Sequence, residues 1–135
     1  MSSVTLVGIP DDKKRVEVQV GNHIVITDHK KENGGMDAGP SMGATFLAGL
    51  VACTASTLRG YCKKHQLPMP EKVVANVELD DESETVTSVT FDVVVPTGFP
   101  ENRYKALIKA ADYCTMKIWW LHPPEFITQV SSTQD

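Results

Sequence analysis

The chain has 135 residues, 41% of them hydrophobic, and a formal net charge of −4. That length suits one domain, residues 1–135, with enough apolar side chains for a sizeable core. The acidic balance, with no basic stripe, argues against a nucleic acid partner.

The start, Met1-Ser2-Ser3-Val4, has no basic segment ahead of a long apolar one. No signal peptide is expected. Residues 4–9 read as a short strand closed by Pro10-Asp11-Asp12. Residues 15–20 alternate, with Val16, Val18 and Val20 on one face and Arg15, Glu17 and Gln19 on the other. That is the pattern of a half-buried strand. Gly21-Asn22 is a hairpin turn, and residues 23–28 return with Ile24, Val25 and Ile26. The three strands make an antiparallel meander. Residues 29–39 are polar and glycine-rich and read as an exposed, solvated loop.

Residues 41–58 carry no charge until Arg59. Ser41 suits an N-cap, and Arg59, Lys63 and Lys64 suit the C-terminal end of a helix dipole. The helix extends to about His65. It is near membrane-spanning length, but its Ser, Thr and Gly content favours a buried core helix over a membrane span. A helix apolar on all sides needs cover on all sides. The simplest source of a second layer is another copy of the chain, so a homodimer is expected with these helices near its middle.

Leu67-Pro68-Met69-Pro70 breaks the helix. Residues 72–79 and 86–95 form a second hairpin across the acidic turn Asp80-Asp81-Glu82-Ser83-Glu84. Residues 101–113 read as an amphipathic helix with Tyr104, Leu107, Ile108 and Ala111 on one stripe. Trp119-Trp120 follows, read as packing or dimer-interface residues. Residues 126–130 read as a last strand and 131–135 as a polar tail. Strand runs separated by helices mean α+β.

Three irregularly spaced cysteines make no disulfide framework, and none lies in a zinc pattern. Free thiols in a reducing cytoplasm, with no metal and no cofactor, follow. Cys53 and Cys62 are nine residues apart. At about 100° per residue they face opposite sides of one helix. Cys62, among Arg59, Tyr61, Lys63 and Lys64, is assigned no role. Cys114 ends the second helix. If Thr115-Met116-Lys117 opens a helical turn, free backbone amides would stabilise its thiolate. Cys53 and Cys114 are then either core residues or a redox pair, and the residues alone leave both readings open. His122, before Pro123-Pro124, reads as a loop residue rather than a base, and nothing aims Glu125 at Cys53.

Gly39-Pro40-Ser41 leading into Ala52-Cys53-Thr54-Ala55, then a hairpin, then Ala110-Ala111-Asp112-Tyr113-Cys114, resembles the OsmC/Ohr family, nearest its plain OsmC-like branch. The likeness covers nearly the whole chain. It implies an intertwined α+β homodimer with antiparallel sheets wrapped around long central helices. It also implies a stress-response peroxidase in which Cys53 attacks an organic hydroperoxide and Cys114 resolves the sulfenic acid to a disulfide. A dithiol such as a lipoyl group would reduce that disulfide. The family's strand arginine maps to Arg15, with Lys14 its neighbour if the register differs. The family's helix glutamate has no counterpart, because residues 41–53 contain no acid. The segment after Cys114 departs from the family pattern as well. A thiol-dependent peroxidase is therefore weighed against a small-ligand binding protein of the same fold without turnover.

Overall fold

A computed structural model describes residues 3–133. Met1 and Ser2 of the leader reading, and Gln134 and Asp135 of the tail, lie outside the described residues. The chain forms two compact units, Met1–Gly49 and Leu50–Asp135.

The first unit holds an antiparallel sheet of β1 (Leu6–Pro10), β2 (Val16–Val20) and β3 (His23–Thr27), in that order. The strand ends differ by a residue or so from the sequence reading. Gly21 has φ +57, as the tight turn requires, and sets Val20 opposite His23. Pro10 lies on the open edge strand, where a missing N–H breaks no ladder.

The long helix α1 (Met42–Lys64) begins as its sequence predicts. Ser41 Oγ accepts the Ala44 N–H at 3.2 Å, which caps the first turn. Gln66, at φ +55, turns the chain out of the helix. The N–H of Leu67 reaches the Cys62 carbonyl at 2.8 Å and that of Gln66 the Lys63 carbonyl at 3.4 Å. This left-handed closure satisfies carbonyls that the helix end would orphan. By length and composition α1 could cross a bilayer.

In the second unit, β4 (Lys72–Asp80) and β5 (Thr85–Val94) pair antiparallel across the acidic turn. Val73 faces Val93, Ala75 faces Phe91 and Val77 faces Val89, so the alternating apolar residues share one side. A short 3₁₀ turn (Glu101–Arg103) leads into α2 (Tyr104–Ala111), and α3 (Thr115–Leu121) follows. The predicted helix over 101–113 is thus shorter and tighter at its start. Its stripe is also narrower: Leu107 and Ala111 are buried, but Tyr104 and Ile108 are exposed.

Only one stripe of α1 is buried, through Leu50, Thr54, Leu58 and Cys62. These positions recur every four residues, which keeps them on one side of a helix. Leu58 and Cys62 join Phe99, Leu107 and Ala111 in the core of this unit. Cys62, read from its neighbours as lying at a polar end, is fully buried. The adjacent charges project outward while the thiol keeps the phase of the buried stripe.

One sequence expectation is corrected here, and another is met with an addition. Residues 126–130 form no strand; Phe126, Ile127 and Val130 are all exposed and lie in no sheet. Their β-prone composition finds no strand partner among the described residues. The loop 29–39 carries exposed charges but is ordered around a buried side chain. Asp28 is 1% exposed, and its carboxylate accepts the N–H groups of His29 (2.7 Å), Met36 (3.2 Å) and Ala38 (3.1 Å). Gly35 is needed in this loop because a Cβ there would overlap the His29 carbonyl.

Candidate functional site

The sulfur chemistry lies in the second unit, where α1 meets the turn between α2 and α3. Helix α1 carries Cys53, which is half-buried, and the adjacent Thr54, which is fully buried. The chain leaves α2 through Asp112 and Tyr113 and reaches Cys114, the N-cap of α3. Cys114 has extended backbone (φ −63, ψ 136) and no exposure. The conditional sequence reading is met: Thr115 does open a helical turn. The Cys114 carbonyl accepts the N–H groups of Lys117 at 3.1 Å and Ile118 at 3.2 Å.

All three cysteines are free. The Cys53 side chain neighbours the Cys114 sulfur, although the two lie 61 positions apart in the sequence. Thr54 and the amides of Met116 and Lys117 also approach that sulfur. Burial alone would push the Cys114 thiol up. The Lys117 amide, the Cys53 and Thr54 side chains and the Met116 amide outweigh burial and hold it below the ordinary thiol value. The sulfur makes no closed capping bond, since the Lys117 amide is shared with the carbonyl. The amides therefore favour the anion by their direction and partial charge.

Lys117 steadies the turn. Its ammonium donates to the Ala111 carbonyl at 2.9 Å and lies 4.2 Å from the Phe91 ring centroid. Cys62 has different surroundings. Burial pushes its thiol up, and the Arg103 guanidinium offsets this only in part. That guanidinium donates to the Tyr61 hydroxyl at 2.7 Å.

Arg15 belongs to the first unit, immediately before β2, with its guanidinium 3.7 Å from the Glu17 carboxylate. Among the described acids and bases, His122 is exposed at the C-cap of α3 and Glu125 is exposed beyond it. Neither joins the thiol pair. Trp119 lies exposed on α3. A cavity of about 380 Å³ lies beside α1, lined by Ala52, Ala55, Ser56, Arg59, Met69 and Val73 among others, and neither thiol lines it.

Sequence reasoning missed Thr54 and Asp28. The signal for Thr54 was its phase: it takes the polar place in the stripe Leu50, Thr54, Leu58. The signal for Asp28 was an acid followed by Gly34-Gly35, a loop able to fold back onto a carboxylate.

No curated protein matches the chain in sequence. Several solved structures share its fold at low identity. A protein of Psychrobacter arcticus 273-4, assigned to osmotic stress and detoxification responses, superposes with a TM-score of 0.72 at 15% identity, over 87% of this chain and 88% of that one. An OsmC-like protein of Mycoplasma pneumoniae gives 0.71 at 13% identity, over 90% and 89%. An organic hydroperoxide resistance protein of Legionella pneumophila gives 0.59 at 19%, over 87% and 88%. The model of the OsmC-like protein family matches residues 34–125, which include both cysteines of the pair. With its α+β architecture and antiparallel sheets, the chain belongs to the OsmC-like family.

Proposed function

We propose that the protein is a thiol-dependent peroxidase that reduces organic hydroperoxides, with Cys53 as the attacking thiol and Cys114 as the resolving one. The observation that carries this reading is the proximity of these two side chains, which lie 61 positions apart in the sequence. Their exposures support the division of labour. Cys53 is half-buried and can meet a substrate, whereas Cys114 has no exposure.

In the first step the Cys53 thiolate attacks the terminal oxygen of the hydroperoxide. The O–O bond breaks, the alkoxide takes a proton and leaves as alcohol, and Cys53 becomes a sulfenic acid. The Cys114 thiolate then attacks the sulfenic sulfur. A disulfide forms, and hydroxide leaves to be protonated to water. A dithiol reductant, such as a lipoyl group, returns both thiols and becomes a disulfide itself. The electrostatics of Cys114 suit the second step, because a thiolate is the nucleophile there. Arg15 is proposed as the assisting arginine because it matches the family's strand arginine in position along the chain.

The working form is proposed to be an intertwined homodimer in the cytoplasm. The exposed apolar surface supports it: Leu6, Val7 and Ile9 on β1 and Ile24 on β3 are exposed in the single chain. Apolar area of that kind is the usual mark of an interface.

Consumption of cumene hydroperoxide with dithiothreitol or a lipoyl dithiol tests the enzyme reading. Wild type should turn over and Cys53→Ser should not. Equal rates for the two would overturn it. A second reading, a small-ligand binding protein without turnover, is favoured by the first turn of α1, which contains no acid, and by the cavity at Ala52 and Met69. That reading requires saturable binding of an apolar ligand with no peroxide loss.

A further inference from the structure

Thr54 is the one hydroxyl in the buried stripe of α1, and it has no exposure. Burying a hydroxyl in an apolar stripe costs free energy unless it finds a partner. Its Oγ1 donates to the Leu50 carbonyl at 3.1 Å. That carbonyl, one turn back in the helix, already has the Thr54 backbone N–H as its ladder partner. The bond is therefore a place for the hydroxyl to rest; the helix does not require it. The second polar neighbour of the hydroxyl is the Cys114 sulfur. A hydroxyl carries one hydrogen, so it can serve the carbonyl or the sulfur, but not both at once.

We propose that Thr54 is a positioning residue for the thiol pair: its hydroxyl turns from the Leu50 carbonyl to the Cys114 sulfur when that sulfur becomes a thiolate, and returns when the charge is lost. The turn is a rotation about the Cα–Cβ or C–O bonds and moves no backbone. It holds the resolving sulfur as an anion in a site closed to water. It also releases that sulfur as the disulfide forms, since a disulfide sulfur accepts hydrogen bonds poorly. The proposal rests on the reading of Cys53 and Cys114 as the reactive pair.

The test is a pH titration of thiolate absorbance on the reduced full chain, in a Cys62→Ala background so that the core thiol is silent. Thr54→Val keeps the shape and removes the hydroxyl, and Thr54→Ser keeps the hydroxyl. The Val variant should raise the midpoint of the lower-pH thiolate step by about one pH unit, the worth of one hydrogen bond to a charged group. The Ser variant should titrate like its Thr54 parent. Thr54→Ala, which also lacks the hydroxyl, should shift the same way, and it replaces the Val variant if that one does not fold. Unchanged midpoints in the Val or Ala variant would overturn the proposal, as would a Ser variant that shifts with them. No peroxide enters this measurement. A shift without turnover would keep the role of Thr54 and sink the peroxidase, and turnover without a shift would do the reverse.

Discussion

Cys62 and Cys114 are both fully buried thiols of the same unit, yet their environments act in opposite directions. Around Cys62 lie Leu58, Phe99, Leu107 and Ala111, so burial dominates and the neutral thiol is favoured. Around Cys114 lie two backbone amides, a thiol and a hydroxyl, and the anion is favoured despite the burial. Depth alone therefore says nothing about reactivity. What matters is whether donors line the cavity in which the sulfur sits.

The comparison can be broken by mutation. The largest effect is expected at the pair itself: Cys114→Ser should stop repeated turnover and leave Cys53 to over-oxidise to the sulfinic acid, detectable by mass. Leu107→Ala should cost about 2–5 kcal/mol in denaturant unfolding, because the cavity opens in the core that holds Cys62. Cys62→Ser should cost about 1–3 kcal/mol, since a hydroxyl replaces a sulfur in apolar surroundings, and turnover should survive. If Cys62→Ser abolished turnover in a folded protein, the contrast between the two thiols would be lost.

Alkaline pH sharpens the same contrast. The folded state favours the Cys114 anion, so its contribution to stability is full above the ordinary thiol value of 9.0 and is lost as pH falls through the lower folded value. Cys62 behaves inversely. Its contribution is full below 9.0 and is lost as pH rises towards the higher folded value. Unfolding free energies measured from neutral to alkaline pH should therefore fall less steeply for Cys62→Ala than for wild type, and more steeply for Cys114→Ala. The smallest effect is expected at Lys117. Lys117→Met should cost on the order of 1 kcal/mol, because it removes the bond to the Ala111 carbonyl and the contact with Phe91.

Much of this architecture was legible in the residues. The alternation of Val16, Val18 and Val20 and the Gly21-Asn22 turn specify a hairpin locally, and Ser41 announces the start of α1. That Cys53 and Cys114 lie near one another could be expected only through resemblance, because no periodicity links positions on different elements. Thr54 stayed hidden since a threonine in an apolar helix carries no local mark of its neighbour across the fold. The strand read at 126–130 failed for a related reason. Phe126, Ile127 and Val130 supply propensity, but a strand exists only where another backbone pairs with it. Asp28 was read as the end of a strand, and its cage of three amides comes from residues up to ten positions later.

The central claim is that two particular sulfurs act together. Treating the reduced protein with an equimolar amount of cumene hydroperoxide, then digesting without reductant and mapping the peptides by mass, tests it most directly. A Cys53–Cys114 disulfide is the predicted product, with Cys62 recovered as the free thiol. A bridge through Cys62, or oxidation of Cys53 with Cys114 still free, would contradict the account.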